Sequence, residues 1–285
     1  MASQFSTKFI HVSEPYPHVF HVELSRKPVN AFNVEFWTQY GEVFEQLAEE
    51  DVRAVVLSSA LPKIFTAGID LSDLASLSSS RSADDSARLA IKHTKHIKTF
   101  QYAIGAPARC PFPVIAAIHG AVLGLGVDIV CACDIRYAAS KATFSIKEAD
   151  VGLAADIGTL AYLPKIAGNI SLVREFCYTS QTFSAAVAEK MGLLSSVIEG
   201  GREDVVGAAL ELAKVIASKS PVAVAGTKHI ISHALDNSIT ANLDYTAVWN
   251  GGALQTRDII ENVSAMKARR APTFAPLRTK ATSKL

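Results

Sequence analysis

The sequence predicts an α/β protein with a helical C-terminal region, and three observations carry that prediction. Short β-branched apolar runs alternate with helix-spaced segments through the first half. Beyond residue 156 the periodicity is almost wholly helical, and 49% of the 285 residues are hydrophobic against 19% charged, enough to build a sizeable core. With 28 basic and 27 acidic side chains the formal charge is +1, so no broad field favours nucleic acid, and a local basic cluster stands only near the C-terminus.

Residues 9–12 and 19–24 read as strands, the second alternating apolar and polar positions. Residues 33–48 place Phe36, Val43, Phe44 and Leu47 at helical spacing, and 52–58 form a short β-branched run, hence a buried strand. A turn at 65–70 follows. The serine-rich stretch 74–86 reads as a loop or as a helix start capped by Ser or Asp. Then come a polar-faced helix over 84–106, a strand at 114–118, a glycine turn, a buried helix over 125–133, and short strands at 135–138 and 143–146. Helical segments follow at 158–166, 172–178, 185–191, 205–218, 221–236 and 239–267. The change in character near residue 200 divides the chain into a core of 1–200, a helical region of 201–270 and an extended tail of 271–285.

Cys110, Cys131, Cys133 and Cys177 lie in apolar company without paired spacing, and read as small buried hydrophobes of a reducing compartment. The first eight residues lack the apolar stretch of a signal peptide, so export is not expected. Residues 110–127 carry no formal charge and are about as long as a membrane span. Pro111, Pro113, Gly120, Gly124 and Gly126 interrupt them, which fits strand, turn and buried helix better than a span in lipid.

His229 and His233 have the i,i+4 spacing of two zinc ligands, yet the catalytic glutamate of HExxH is missing between them and no third ligand is suggested, so no metal is expected. His93 and His96, flanked by Lys92 and Lys95, read as a solvated helix face. The run from Gly120 through Gly124 to Gly126 matches neither GxGxxG nor a P-loop. Its glycines imply close backbone approach with N–H groups free at a helix start, which suits an oxyanion site. The turn at 65–70 offers a second such place.

The strongest local signal is a set of carboxylates in apolar neighbourhoods: Asp128, Glu148 with Asp150, and Asp156. A carboxyl pushed into low dielectric near another has a raised pKa and can hold or release a proton near neutrality. Asp134 and Asp150 read as local caps or pairs, and the bland alternative for Asp156 is the N-cap of the following helix. Asp128, mid-helix among Val, Ile and Cys, favours function, because an unpaired structural role there is costly.

At these residues the sequence resembles the crotonase (enoyl-CoA hydratase/isomerase) superfamily over roughly residues 19–270. The resemblance rests on Arg26-Lys-Pro-Val-Asn30-Ala-Phe, Phe65-Thr-Ala-Gly-Ile-Asp-Leu71, Pro113-Val-Ile-Ala-Ala-Ile-His-Gly120, Gly124-Leu-Gly-Val-Asp128, Cys133-Asp-Ile-Arg-Tyr137 and Glu148-Ala-Asp-Val-Gly-Leu153, in fixed order. It implies a spiral of ββα units, a helical C-terminal part that builds homotrimers or homohexamers, and an acyl-CoA substrate whose coenzyme A is the only cofactor-like group. It places the two main-chain N–H donors of an oxyanion hole on Ile69 and Leu125, and substrate contacts on Ala67, Gly68, Ile69, Asp70, Leu71, Leu125 and Gly126. The family usually has glycine where Leu125 stands; a Cβ there restricts the backbone and narrows the acyl channel. By the same resemblance, Lys63, or Lys267, Arg269 and Arg270, meet the coenzyme A phosphates.

Asp128, Glu148 and Asp156, at spacings of 20 and 8, look like the Δ(3,5)-Δ(2,4)-dienoyl-CoA isomerase branch. Glu148 and Asp156 are then the proton-transfer pair and Asp128 tunes the site. The alternatives are an enoyl-CoA hydratase, a Δ3-Δ2-enoyl-CoA isomerase, or a non-catalytic acyl-CoA-binding subunit of the same fold. The final Ser283-Lys284-Leu285 is the tripeptide read by the peroxisomal import receptor, so the peroxisomal matrix and fatty acid β-oxidation are the expected setting.

Overall fold

A β-branched strand with apolar side chains at every position needs cover on both faces. The computed structural model, which describes residues 2–73 and 85–278, supplies it with two sheets and a helical layer. The strands, in chain order, are β1 (Ile10–Tyr16), β2 (Val19–Leu24), β3 (Ala54–Ser59), β4 (Ile64–Thr66), β5 (Val114–Ile118), β6 (Ala121–Leu123), β7 (Ile135–Ala139), β8 (Thr143–Ser145), β9 (Phe183–Ser184) and β10 (Ser196–Ile198). The larger sheet has the order β1-β2-β3-β5-β7-β10 and is parallel apart from the β1/β2 hairpin. The smaller has the order β4-β6-β8-β9, with only β8/β9 antiparallel. From β3 to β8, successive strands enter alternate sheets, and helices separate the pairs early in this run. This is the expected spiral of ββα turns.

Among the described residues, the helices longer than a single turn are α1 (Val34–Leu47), α2 (Ser86–Ile104), α3 (Leu125–Cys131), α4 (Thr159–Ile166), α5 (Ile170–Thr179), α6 (Ala185–Met191), α7 (Arg202–Ala217), α8 (Pro221–Ala234), α9 (Ile239–Ala253) and α10 (Asp258–Ala268), with a single turn at Ala106–Arg109 and 3-10 turns at Ala2–Phe5 and Glu148–Val151. Asn33 caps α1, its Oδ1 accepting from the Phe36 N–H at 3.0 Å, and Asp85 caps α2 by accepting from the Arg88 N–H. The capped-start reading of 74–86 therefore holds at its end, while 74–84 lies outside the described residues.

Pleat alternation sorts the central strands. Val55 and Leu57 of β3 join Val114, Ala116 and Ile118 of β5 in the main core. Ala54, Val56, Ile115 and Ala117 face the other way, onto Val205, Ala209 and Ala213 of α7. Each large aliphatic side chain buried this way contributes roughly 1.5–3 kcal/mol. Helix α7, assigned from sequence to the C-terminal region, thus forms a layer of the sheet, and the core extends past residue 200.

Three other expectations change. The turns read at 65–70 and 120–126 begin in strands β4 and β6, which at three residues each are too short to show a period of two. The two- and three-residue strands β9 and β10 escaped for the same reason. The single helix read over 239–267 is α9 and α10, broken at 254–257. The weak helix formers Gly251 and Gly252 precede the break, and Asp258 then turns inward to accept from the Ser220 hydroxyl at 2.5 Å.

The uncharged stretch 110–127 resolves into β5, β6 and the start of α3. Among the described residues no helix is long and apolar enough to cross a membrane. All four cysteines are free; Cys110, Cys131 and Cys133 are buried and Cys177 half-buried. His229 bonds the Tyr245 hydroxyl and His233 the Asn242 amide oxygen, and among the described residues no group of side chains is arranged to hold a metal.

Candidate active site

Three neighbouring parallel strands of the small sheet, β4, β6 and β8, end side by side, and the segment after each carries one part of the site. The turn Ala67–Asp70 follows β4, Gly124 and Leu125 follow β6, and Glu148 follows β8. The approach of the first two turns is close. Gly68 has φ +90°, and a Cβ built on it would lie 2.6 Å from the Leu123 carbonyl oxygen and 3.3 Å from the Leu125 nitrogen. Only glycine meets both demands.

In the first turn the Ala67 N–H donates to the Val29 carbonyl (2.9 Å), the Gly68 N–H to Thr66 Oγ1 (3.0 Å) and the Asp70 N–H to the Phe32 carbonyl (2.9 Å). The Ile69 N–H has no partner among the described residues. The Gly68 carbonyl accepts from the Phe32 N–H at 2.8 Å. In a planar trans peptide that bond directs the Ile69 N–H to the opposite side. Leu125 is the first residue of α3, where an N–H has no intrahelical acceptor, and it too is unpartnered among the described residues. The restriction expected from the Leu125 Cβ does not arise: Leu125 is not among the residues with positive φ, and Gly124, at φ +52°, takes the unusual conformation instead.

Ile69 and Leu125 line one cavity of about 580 Å³ together with Asp128, Glu148 and Asp156. Ala67, Asp70 and Leu71 line it as expected; Gly68 and Gly126 do not, Gly68 being turned against the Leu123 carbonyl and Gly126 packed against Thr66 and Val122. Its remaining wall is largely apolar, including Val29, Ile97, Phe100, Leu123, Leu153 and Ile157. Such a wall is suited to a hydrocarbon chain.

The carboxyls differ in setting. Asp128 is buried on α3, and its Oδ1 accepts from the Thr159 N–H at 2.6 Å, so it also serves the N-terminus of α4. Burial pushes its pKa up to about 6. Glu148 is half-buried; its Oε2 is shut off from water without a hydrogen-bond partner among the described residues, and burial with the neighbouring Asp128 charge pushes its pKa up to about 7. Its Oε1 would stand 3.2 Å from a Cβ on Gly124, beside the Leu125 donor. Asp156 lines the same cavity with its side chain exposed, and its charge is felt by Glu148. It caps nothing: α4 starts at Gly158 without a side-chain cap. Gln101 of α2 donates to the Asp156 main-chain carbonyl at 2.6 Å, tying this segment to α2.

Asp150 takes the local role read for it, pairing with Lys147, whereas Asp134 does not: its partner is Lys228, 94 residues away in sequence. His96 departs from its solvated reading: it is half-buried, edge-on to Trp37, and lines the cavity. Of the basic residues offered to coenzyme A, Arg270 is held by Glu261 through two bonds of 2.6 and 3.0 Å, and Lys63, Lys267 and Arg269 are exposed away from the cavity lining.

Residues 14–276 match the family described as Enoyl-CoA hydratase/isomerase. The chain belongs to that family. Relatives of this family member include the Delta(3,5)-Delta(2,4)-dienoyl-CoA isomerase, mitochondrial, of Mus musculus, 45% identical over 94% of this chain and 82% of that protein. The peroxisomal enzyme of the same name from Arabidopsis thaliana is 40% identical over 91% of this chain and 93% of its own length. Among solved structures, the enoyl-CoA hydratase from Bacillus anthracis superposes with a TM-score of 0.82 at 28% identity, covering 94% of this chain and 99% of that one. In this member of the family, sequence reasoning had passed over Thr66, Asn30, Gln101 and the apolar face of α2. A fully buried Asn or Thr beside a glycine turn is the signal that points to the first two.

Proposed function

We propose that this chain is an isomerase of fatty acid β-oxidation that converts 3,5-dienoyl-CoA into 2,4-dienoyl-CoA. The observation that carries the reading is the convergence of three carboxyls and two unpartnered main-chain N–H groups on one apolar cavity. The isomerase names of relatives at 40–45% identity support the substrate. The thioester oxygen lies between the Ile69 and Leu125 donors, which stabilise the enolate formed when C2 loses a proton. Glu148, beside the Leu125 donor, breaks the C2–H bond and takes the proton. The electron pair moves through C3=C4 and C5=C6, and C6 is protonated from Asp156 at the far side. Two carboxyls are needed because one cannot reach both carbons. Asp128 raises the proton affinity of Glu148. The transfer is redox-neutral and needs no cofactor beyond the coenzyme A that the substrate carries.

The test is incubation with a 3,5-dienoyl-CoA, with absorbance shifting as conjugation reaches the thioester. Hydration of a 2-enoyl-CoA without that shift identifies a hydratase, and binding without turnover a non-catalytic subunit. The reading includes a homotrimer or homohexamer, supported by α9, an apolar helix that buries no residue in the single chain. Analytical ultracentrifugation decides it. It also includes the peroxisomal matrix and its import receptor, supported by Ser283-Lys284-Leu285, which lie outside the described residues. The named relatives divide between mitochondrion and peroxisome. A fluorescent fusion that loses peroxisomal import when the tripeptide is deleted supports this location, and mitochondrial import overturns it.

A further inference from the structure

The Ile69 donor sits on a turn whose Gly68 has φ +90°. Glycine has little preference for one backbone conformation over its mirror, so the peptides on both sides of Gly68 need holding: the Phe32 N–H fixes the following one through the Gly68 carbonyl at 2.8 Å, and the preceding one falls to a side chain. Thr66, fully buried, uses its hydroxyl twice: it donates to the Asn30 carbonyl at 2.6 Å and accepts from the Gly68 N–H at 3.0 Å. With its one proton committed to Asn30, the oxygen presents a lone pair to Gly68. Asn30 is itself locked. It is fully buried at φ +51°, its Nδ2 donates to Ser59 Oγ (2.8 Å), the Phe65 carbonyl (2.9 Å) and the Leu24 carbonyl (3.2 Å), and its Oδ1 accepts from the Arg26 N–H at 2.7 Å. Across the turn, Arg26 also pairs with Asp70 at 2.9 Å.

We propose that Thr66, anchored by Asn30, is a positioning residue for the oxyanion donor Ile69. It fixes the Ala67–Gly68 peptide on one side of Gly68 while the Phe32 N–H fixes the Gly68–Ile69 peptide on the other, and the two together set the direction of the Ile69 N–H toward the thioester oxygen. The inference rests on the isomerase reading for its substrate and deepens it. Neither side chain lines the cavity, so neither touches the acyl chain. Their effect passes through the direction of one N–H, and a small misdirection of a preorganised donor weakens transition-state stabilisation more than ground-state binding.

The test compares Thr66→Val, which keeps the shape and removes the hydroxyl, with Thr66→Ser, which keeps the hydroxyl. In turnover of 3,5-dienoyl-CoA, T66V is expected to lower kcat roughly tenfold to a hundredfold, short of the 10²–10³ seen when a donor is removed outright. KM should change less than about threefold, and T66S should return kcat to within about threefold of the unaltered protein. A second readout needs no turnover: the red shift in ultraviolet absorbance of bound 2,4-dienoyl-CoA, which reports polarisation of the thioester carbonyl and is read on bound ligand alone. T66V is expected to diminish the shift and T66S to keep it. A full shift in T66V overturns the proposal, as does a shift in T66S as small as in T66V. Should T66V fail to fold, T66S alone decides: a diminished shift counts against the hydroxyl's role and a full one supports it. If the unaltered protein binds and polarises the ligand but does not isomerise the diene, the isomerase reading fails while the positioning role still stands or falls on the shift.

Discussion

Glu148 and Asp156 share a cavity but not an environment, and the tasks proposed for them can be separated by experiment. Glu148→Gln is expected to lower kcat by roughly 10²–10⁴ and to abolish deuterium uptake at C2 from D2O. Asp156→Asn should keep exchange at C2 yet stop formation of the 2,4-diene, and the reverse pattern would exchange the two roles. As the proposed base, Glu148 has to be ionised, so with its pKa raised to about 7, kcat/KM should climb with pH through about 7. Stability runs the other way. Between the ordinary value of 4.5 and about 7, the folded chain keeps a proton that the unfolded chain releases, so stability falls as pH rises across that window. E148Q should therefore raise Tm at pH 8, by the equivalent of roughly 2–3 kcal/mol, and leave it unchanged near pH 4. The acid trio was legible because carboxylates set among Val, Ile and Ala stand out in one dimension. The partner of Asp128 was not: the Thr159 N–H is supplied by a helix 31 residues away in sequence.

The strand ends and the start of α3 carry the site, and their tolerance is set by contact. A Cβ on Gly126 would lie 2.6 Å from Thr66 Cγ2 and 2.9 Å from Val122 Cγ1. Gly126→Ala should therefore displace α3, destabilise the chain by about 1–3 kcal/mol as overpacking does, and lower kcat by moving both Asp128 and the Leu125 N–H. Gly207→Ala on α7, with open space around it, should leave kcat intact. Thermal unfolding and kinetics on the two variants check this, and equal losses in both would contradict it. Long helices such as α1 and α2 and the buried strand β5 were readable, since each repeats its period or its apolar run. Strands β4 and β6 were not, because each is a three-residue piece running straight into a glycine turn, and pairing with neighbours is what makes them strands.

The C-terminal helices are joined to the spiral by packing and by one buried ion pair. Lys228 of α8 reaches across to Asp134 at 2.8 Å and donates to the carbonyls of Pro107 (2.7 Å) and Phe112 (2.9 Å). Lys228→Met leaves those carbonyls without their donor and a largely buried carboxylate without its cation, held among the described residues only by the Val114 N–H at 2.7 Å, and should cost about 3–5 kcal/mol in chemical denaturation. Adding Asp134→Asn should recover part of that loss, and full additivity of the two would show that they do not act as a pair. Beyond α8, side chains such as Ile239, Leu243 and Val248 remain exposed. What the sequence determined by itself was the layer class, the run of buried strands, the carboxylates and the glycine turns, because each is written in residue type or in spacing along the chain. Which N–H groups stay unpaired, which carboxyl stands beside the donors, and how α7 closes the sheet were decided only by the tertiary structure. Those properties depend on neighbours brought together by parallel strand order, and no local stretch of sequence contains them.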